Sequence, residues 1–357
     1  MASLIELVER VNKGEMIDPA LLETYQDSAN AAEKFLAHHA HALLQLRQSN
    51  QNMLQALEAI DFSDQKVLSQ FVNVCNFLGQ NDLRTLPMIR FGGAAIGRRE
   101  YALGLEAIQS AVAADLATGG MHLADRENAL QIAQQYDRAR QCIRWNTPVG
   151  NTSNRKTIRI GYITSHIIDD DPATRFILSL GRNLDGAKFK LHVYSTEAGV
   201  RRERNLYSTG GFVPASGKRG RQSIEQLKQA KIAFTPAPLD GDLVSSAQEL
   251  AGAIARDQID VAIFDTTLGD AIGSLLAGWN IPRAKLNLPR RAPMLAGQFD
   301  GICYTDAMKL EADRDFWQRR GSEPRAILEG IDLSELADAA PQRSAYGIPE
   351  QSVVLAT

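Results

Sequence analysis

The sequence predicts an α + α/β protein, in which an all-helical, repeat-like region precedes a Rossmann-like parallel sheet covered by helices. Apolar residues recur at three- and four-residue spacing through residues 1–145, which is the period of packed helices. Residues 146–156 are rich in turn formers and predict a linker. Short β-branched runs then alternate with helical patterns, and this alternation is typical of parallel strands joined by helices.

The helical region, 1–145, contains paired amphipathic patterns of roughly the size that stacks into a solenoid. A stack of tetratricopeptide-like units and an irregular helical domain both fit this pattern. Ser63 and Asp64 are expected to cap a helix that ends at Gly79. The pairs Gly92-Gly93 and Gly119-Gly120 are expected to break helices, and they are not phosphate loops because no strand precedes them.

The α/β region, 157–335, is predicted from alternating short segments. The predicted strands are Ile158–Ile163, Phe189–Tyr194, Ile232–Phe234, Ile259–Phe264, Lys285–Leu288 and Gly301–Tyr304. The predicted helices are Arg175–Leu184, Ser223–Ala230, Leu243–Arg256 and Ala271–Trp279.

Residues 336–357 are predicted to be a linker followed by a fresh strand. A helical pattern at Ile331–Leu336 leads into an apolar strand pattern at Ser352–Thr357. A lone apolar strand cannot bury itself, so it either pairs with the preceding sheet or begins a further domain. We favour the second interpretation, in which the chain is cut at the start of another domain.

Composition and charge indicate the cellular compartment and the kind of ligand. Three widely spaced cysteines and no signal-peptide pattern predict a reducing cytoplasm, and no apolar run is long enough to span a membrane. Residues 151–235 contain 15 Lys/Arg and 7 Asp/Glu, a net of +8, so the remainder carries −11 of the total of −3. This basic segment indicates either an anionic ligand or a solvated loop.

The order of the motifs resembles the bacterial relatives of O-linked N-acetylglucosamine transferase (SPINDLY-like proteins) and the adhesin glucosyltransferases. The matching segments follow one another in the family's order. They are Arg159–Ser165 (RIGYITS), Lys188–Ser195 (KFKLHVYS), Asp257–Asp265 (DQIDVAIFD), Ile281–Leu288 (IPRAKLNL) and Phe299–Tyr304 (FDGICY). The resemblance covers about residues 157–357 and implies the first Rossmann-like half of a GT-B glycosyltransferase.

The resemblance implies an inverting transfer of sugar from a nucleotide sugar, expected to be a UDP-sugar, to a protein or peptide acceptor. This chain would bind the acceptor and lack much of the donor site, which lies in the family's second half. No separate cofactor and no metal are implied. The sequence gives no signal for which sugar, which acceptor or which oligomeric state.

Candidate site residues follow from this resemblance. A base must deprotonate the acceptor, and His166 or Asp171 lies in the expected loop. Positive groups must stabilise the leaving diphosphate, and Arg290 and Arg291 follow another predicted strand. The hydroxyls of Thr266–Thr267 follow a third strand and could line the cleft.

Plainer interpretations stay open for each candidate. Asp171-Pro172, which stands where the family has a His-Pro pair, could simply start a helix. The arginines could belong to a solvated loop, and the threonines to an ordinary turn. The chain could then be a non-catalytic protein-interaction module with a degenerate transferase domain.

Other polar clusters are expected to have no site role. The basic residues of Gly199–Gln222 are predicted to lie in a mobile surface loop, and nucleic acid is not expected as a partner because no aromatic residues interleave them. His38 and His41 share a helix face but lack carboxylate or thiolate partners, so no metal site is expected there.

Overall fold

The computed structural model describes residues 3–13, 15–28, 30–58, 60–78, 84–117, 126–145, 155–169, 171–198, 216–289, 294–295, 297–319 and 321–327. The chain divides into two compact units, Met1–Val67 and Leu68–Thr357. The division falls inside one helix of the helical region, so each unit is described separately.

The first unit is helical. It contains α1 (Leu4–Asn12), α2 (Ala20–Gln26) and the 28-residue α3 (Ala31–Glu58). A capping box starts α1, because Ser3 Oγ accepts the Glu6 N–H while the Glu6 carboxylate accepts the Ser3 N–H at 2.7 Å. The apolar faces meet in a small core made of Leu4, Leu7, Val11, Ile17, Leu22, Ala37, Ala40 and Leu44.

After α3, the described residues form four further helices before the sheet: α4 (Gln65–Leu78), α5 (Thr85–Gly97), α6 (Tyr101–Ala117) and α7 (Arg126–Cys142). The helix break predicted at Gly92-Gly93 is wrong, because both glycines lie inside α5. Gly92 serves packing instead. A Cβ on Gly92 would lie 2.8 Å from the carbonyl oxygen of Gly104 in α6, so the two helices cross in backbone contact.

Within the described residues the sheet has seven strands, all parallel: β1 (Ile158–Thr164), β2 (Phe189–Ser195), β3 (Ala233–Pro236), β4 (Val261–Asp265), β5 (Ala284–Asn287), β6 (Gly301–Tyr304) and β7 (Pro324–Ala326). The strand order is β3-β2-β1-β4-β5-β6-β7. The order of its first six strands is that of a Rossmann fold, which confirms the predicted fold class.

In the described part of the chain, six helices join or follow these strands: α8 (Pro172–Asn183), α9 (Ser216–Arg219), α10 (Arg221–Gln229), α11 (Leu243–Arg256), α12 (Ala271–Gly278) and α13 (Ala307–Arg319). The basic residues Lys218, Arg219 and Arg221 therefore lie on α9 and α10, and the prediction of a loop as far as Gln222 is wrong there. Residues 199–215, the pair Gly119-Gly120 and the predicted segments after residue 327 lie outside the described residues.

Helices cover both faces of the sheet. Tyr162 of β1 points to one face and packs with α8 and α10, and its neighbour Ile163 points to the other face. On that second face Leu105 of α6 and Tyr136 of α7 share one core with α11, α12 and α13. Part of the predicted helical domain, 1–145, thus shares a core with the predicted α/β domain, 157–335.

Candidate functional site

The sheet has one topological switch point, between β1 and β4. The chain leaves β1 towards β2 on one side, and β4 pairs with β1 on the other side. The loops that follow β1 and β4 therefore diverge at the carboxyl edge of the sheet, which is where doubly wound folds bind ligands. The candidate site is built from these two loops and from the end of β2.

A buried carboxylate connects the three segments. Asp270, in the loop after β4, is 1% exposed. Its Oδ2 accepts hydrogen bonds from Ser165 Oγ, after β1, at 2.9 Å and from Thr196 Oγ1, after β2. Its Oδ1 accepts the Gly273 N–H at 2.8 Å and so caps α12. One side chain therefore fixes the relative positions of all three strand ends.

A second buried carboxylate follows the end of β2, next in sequence to Thr196. Glu197 is 1% exposed, and its Oε1 accepts a hydrogen bond from Ser195 Oγ at 2.8 Å. Its φ of 54° is in the left-handed region, which is uncommon for a residue with a side chain. Strained backbone of this kind is kept where the surrounding contacts fix it, and it concentrates at functional edges.

Helix α6 fills the crevice between the diverging loops. Gln109 is 1% exposed, its Oε1 accepts the Ala271 N–H at 3.1 Å, and its Nε2 donates to the Ala198 carbonyl at 3.4 Å. The N–H groups at a helix start are the usual anion site. Here those of Ala271 and Gly273 are already bonded, so an anion could use them only by displacing Gln109 and Asp270.

The loop after β1 holds His166 and Asp171. His166 is half-buried and adjoins Ser165, and its carbonyl accepts the Thr164 hydroxyl at 3.3 Å. Asp171 caps α8, because its Oδ2 accepts the N–H groups of Ala173 at 3.0 Å and Thr174 at 3.2 Å. The plainer interpretation describes what Asp171 does in the structure, and a catalytic role for either residue stays a prediction.

Asp169 ties the same loop to the start of α10. Its carboxylate accepts the Ser223 N–H at 2.8 Å, the Ser223 hydroxyl at 2.7 Å and the Gln222 N–H at 3.3 Å. Desolvation opposes ionisation, but these hydrogen bonds prevail and lower the pKa of the Asp169 carboxyl. The Asp169 carboxylate thus links the loop after β1 to the start of α10.

The other predicted site residues are placed only in part. Thr266 is buried beside α12, and its hydroxyl oxygen has no hydrogen-bond partner among the described residues. Thr267 forms a turn, since its hydroxyl accepts the Gly269 N–H at 3.3 Å. Both threonines lie in the β4 loop, at the same sheet edge as His166. Arg290 and Arg291 lie outside the described residues.

Sequence reasoning missed Gln109, Thr196 and Glu197. Gln109 sits among apolar residues of a buried helix, and a buried polar residue needs a hydrogen-bond partner. This was the available signal, although it could not identify Ala198 and Ala271 as the partners.

No group of three or more His, Cys, Asp or Glu in the described residues is placed to bind a metal ion. No described helix is long and apolar enough to cross a membrane.

Comparison with known proteins gives a likeness in structure but none in sequence. No family model matches this chain, and no curated protein sequence matches it. Among solved structures, the chain is similar to a mutant of the Thermobaculum terrenum O-GlcNAc transferase, with a TM-score of 0.44 and 12% identity. The match covers 92% of this chain and 58% of that one, so the chain spans little more than half of its length.

Proposed function

We propose that this chain is the acceptor-side part of a GT-B protein glycosyltransferase that uses a nucleotide sugar. One observation carries the proposal: the loops that hold His166 and Thr266–Thr267 leave the sheet at one switch point. Doubly wound sheets bind their ligands at this place. The order of the sequence motifs, from Arg159–Ser165 to Phe299–Tyr304, supports the glycosyltransferase assignment.

The proposed chemistry needs a base on this side of the cleft. His166 takes the proton of the acceptor hydroxyl as the sugar is transferred, and the oxygen attacks the anomeric carbon. The bond from the anomeric carbon to the diphosphate oxygen of the UDP-sugar breaks, and UDP leaves with its negative charge stabilised by the guanidinium groups of Arg290 and Arg291. Thr266 and Thr267 line the cleft, and the rest of the donor site belongs to a second Rossmann-like half.

A sugar-transfer assay tests the base assignment. The protein is purified in the form that its own cells express, and the transfer of sugar from UDP-sugars to acceptor peptides is measured by the intact mass of the peptides. We expect His166→Gln to lower the rate by about 100-fold or more, the usual contribution of a general base. Asp171→Asn is the matched control, because asparagine also caps helices but cannot act as a base. A large loss in D171N alone would assign the base to Asp171, and unchanged transfer in both variants would refute both assignments.

A second candidate function is a non-catalytic protein-interaction module. It is favoured by the filled crevice, in which Gln109 and Asp270 bond the N–H groups at the start of α12. Titration of residues 1–357 with UDP and UDP-N-acetylglucosamine discriminates the two functions in combination with the transfer assay. Donor turnover by the natural protein supports the enzyme. No turnover with any nucleotide sugar, and no binding of UDP, supports the module.

A further inference from the structure

A hydroxyl, an imidazole and a carboxylate form a hydrogen-bonded chain away from the switch point. Thr235 Oγ1, on the edge strand β3, lies 2.9 Å from His192 Nε2 on β2. His192 Nδ1 lies 3.2 Å from Asp257 Oδ2, at the end of α11. These distances and this order are those of a nucleophile, a general base and the group that orients the base.

The chemistry of the partners fixes the tautomer of His192. An ionised carboxylate only accepts hydrogen bonds, so Nδ1 of the ring carries the proton that points to Asp257. Nε2 is then the acceptor for the Thr235 hydroxyl. Desolvation lowers the pKa of His192 in spite of the nearby carboxylate, so the ring is neutral at pH 7. The ring is also held in place by stacking on Tyr194, with 4.2 Å between centroids.

Thr235 lines a groove of about 540 Å³, which lies along α11. The groove has an aromatic wall from Trp145 and a positive charge from Arg256, whose side chain is exposed. A volume of this size admits a small organic substrate. The groove shares no residue with the switch-point site, so the two sites can be altered separately.

We propose that Thr235, His192 and Asp257 form an acyl-transfer site that cleaves small esters bound in this groove. Thr235 Oγ1 attacks the ester carbonyl while its proton moves to His192 Nε2, and Arg256 faces the negative charge that develops on the carbonyl oxygen. The bond from the carbonyl carbon to the alcohol oxygen breaks, and the alcohol leaves with the proton from His192. Water then attacks the acyl carbonyl carbon while its proton moves to His192 Nε2. The bond from that carbon to Thr235 Oγ1 breaks, Oγ1 takes the proton from His192, and the carboxylic acid leaves.

Hydrolysis of p-nitrophenyl acetate by the purified chain tests this proposal, together with a mass-spectrometric search for the acylated peptide. We expect acetylation at Thr235 and a loss of kcat/KM of about 100-fold or more in Thr235→Val and in His192→Gln. Valine has nearly the shape of threonine, and equal thermal melting of the variant shows that the fold is kept. Thr235→Ser, which keeps a hydroxyl, restores the activity.

Two results would overturn the proposal. One is hydrolysis by T235V at the rate of the unaltered chain, and the other is an acetyl group found only on other residues. Asp257→Asn adds a readout that separates orientation from structure. It keeps the side-chain shape but cannot hold the Nδ1–H tautomer firmly, so we expect kcat to fall while KM stays close to its original value. If Asp257→Asn left both kcat and KM unchanged, Asp257 would have no part in the proposed site.

Discussion

Replacing Asp270 by alanine is expected to loosen the switch-point site more than the loss of a helix cap alone. The variant loses the cap of α12, which contributes about 1 kcal/mol. It also leaves the hydroxyls of Ser165 and Thr196 without this acceptor, and a buried polar group without a partner costs about 1 to 3 kcal/mol. Partial rearrangement of the hydroxyls recovers some of this, so we expect a total loss of about 4 kcal/mol.

Native-state hydrogen exchange of the amides in the capped helix, α12 for Asp270→Ala and α11 for the control, measures this loss within one unit of the chain. Asp242→Ala is the matched control, because Asp242 caps α11 in the same way but is exposed and lies away from the crevice. We expect about 1 kcal/mol in D242A, and the difference between the two variants isolates the buried hydroxyl contacts. An equal loss in both variants would refute the reasoning that Asp270 connects the three strand ends.

Three further predictions concern packing, the crevice and pH. Gln109→Leu removes the acceptor of the Ala271 N–H, so we expect faster exchange of that amide and a loss of about 1 to 2 kcal/mol. Gly92→Ala pushes a methyl group against the backbone of α6 and should lower the unfolding free energy by about 1 to 3 kcal/mol, whereas Gly186→Ala, which meets nothing within 4 Å, should leave it nearly unchanged in urea titrations. Because the folded-state pKa of His192 is lowered, the unfolded chain binds the proton first, so stability is full above about pH 6.5 and falls as the pH drops below it. His192→Gln should flatten this decline in denaturation measured from pH 7.5 to 5, and an equally steep decline would contradict the assignment.

The central strands could be predicted because their β-branched and aromatic residues are sufficient to identify a strand from the sequence. Ile158–Ile163 has a dense run of β-branched and aromatic residues, and β1 extends it by one residue to Thr164. β7 was not predicted, since three residues that include Pro324 have no periodicity. It exists because it pairs with β6, and tertiary pairing of this kind overrides local preference.

The same distinction applies to the candidate site. The cap at Asp171 follows from two adjacent residues, and Asp-Pro at a helix start is a local signal. Gln109 makes its hydrogen bonds to residues 89 and 162 positions away along the chain. No local pattern contains such partners, and the Thr235, His192 and Asp257 contacts likewise arise only when three separate elements meet.

The two outer strands of the sheet have a consequence for how the protein meets other chains. β3 has four residues and ends at Pro236, and β7 has three residues and begins at Pro324. A proline cannot donate a backbone hydrogen bond, and short edges offer little length for pairing. Among the described residues, neither edge is therefore suited to receive an added strand. A partner chain should bind through side-chain surfaces, and edge-to-edge aggregation of this sheet is disfavoured.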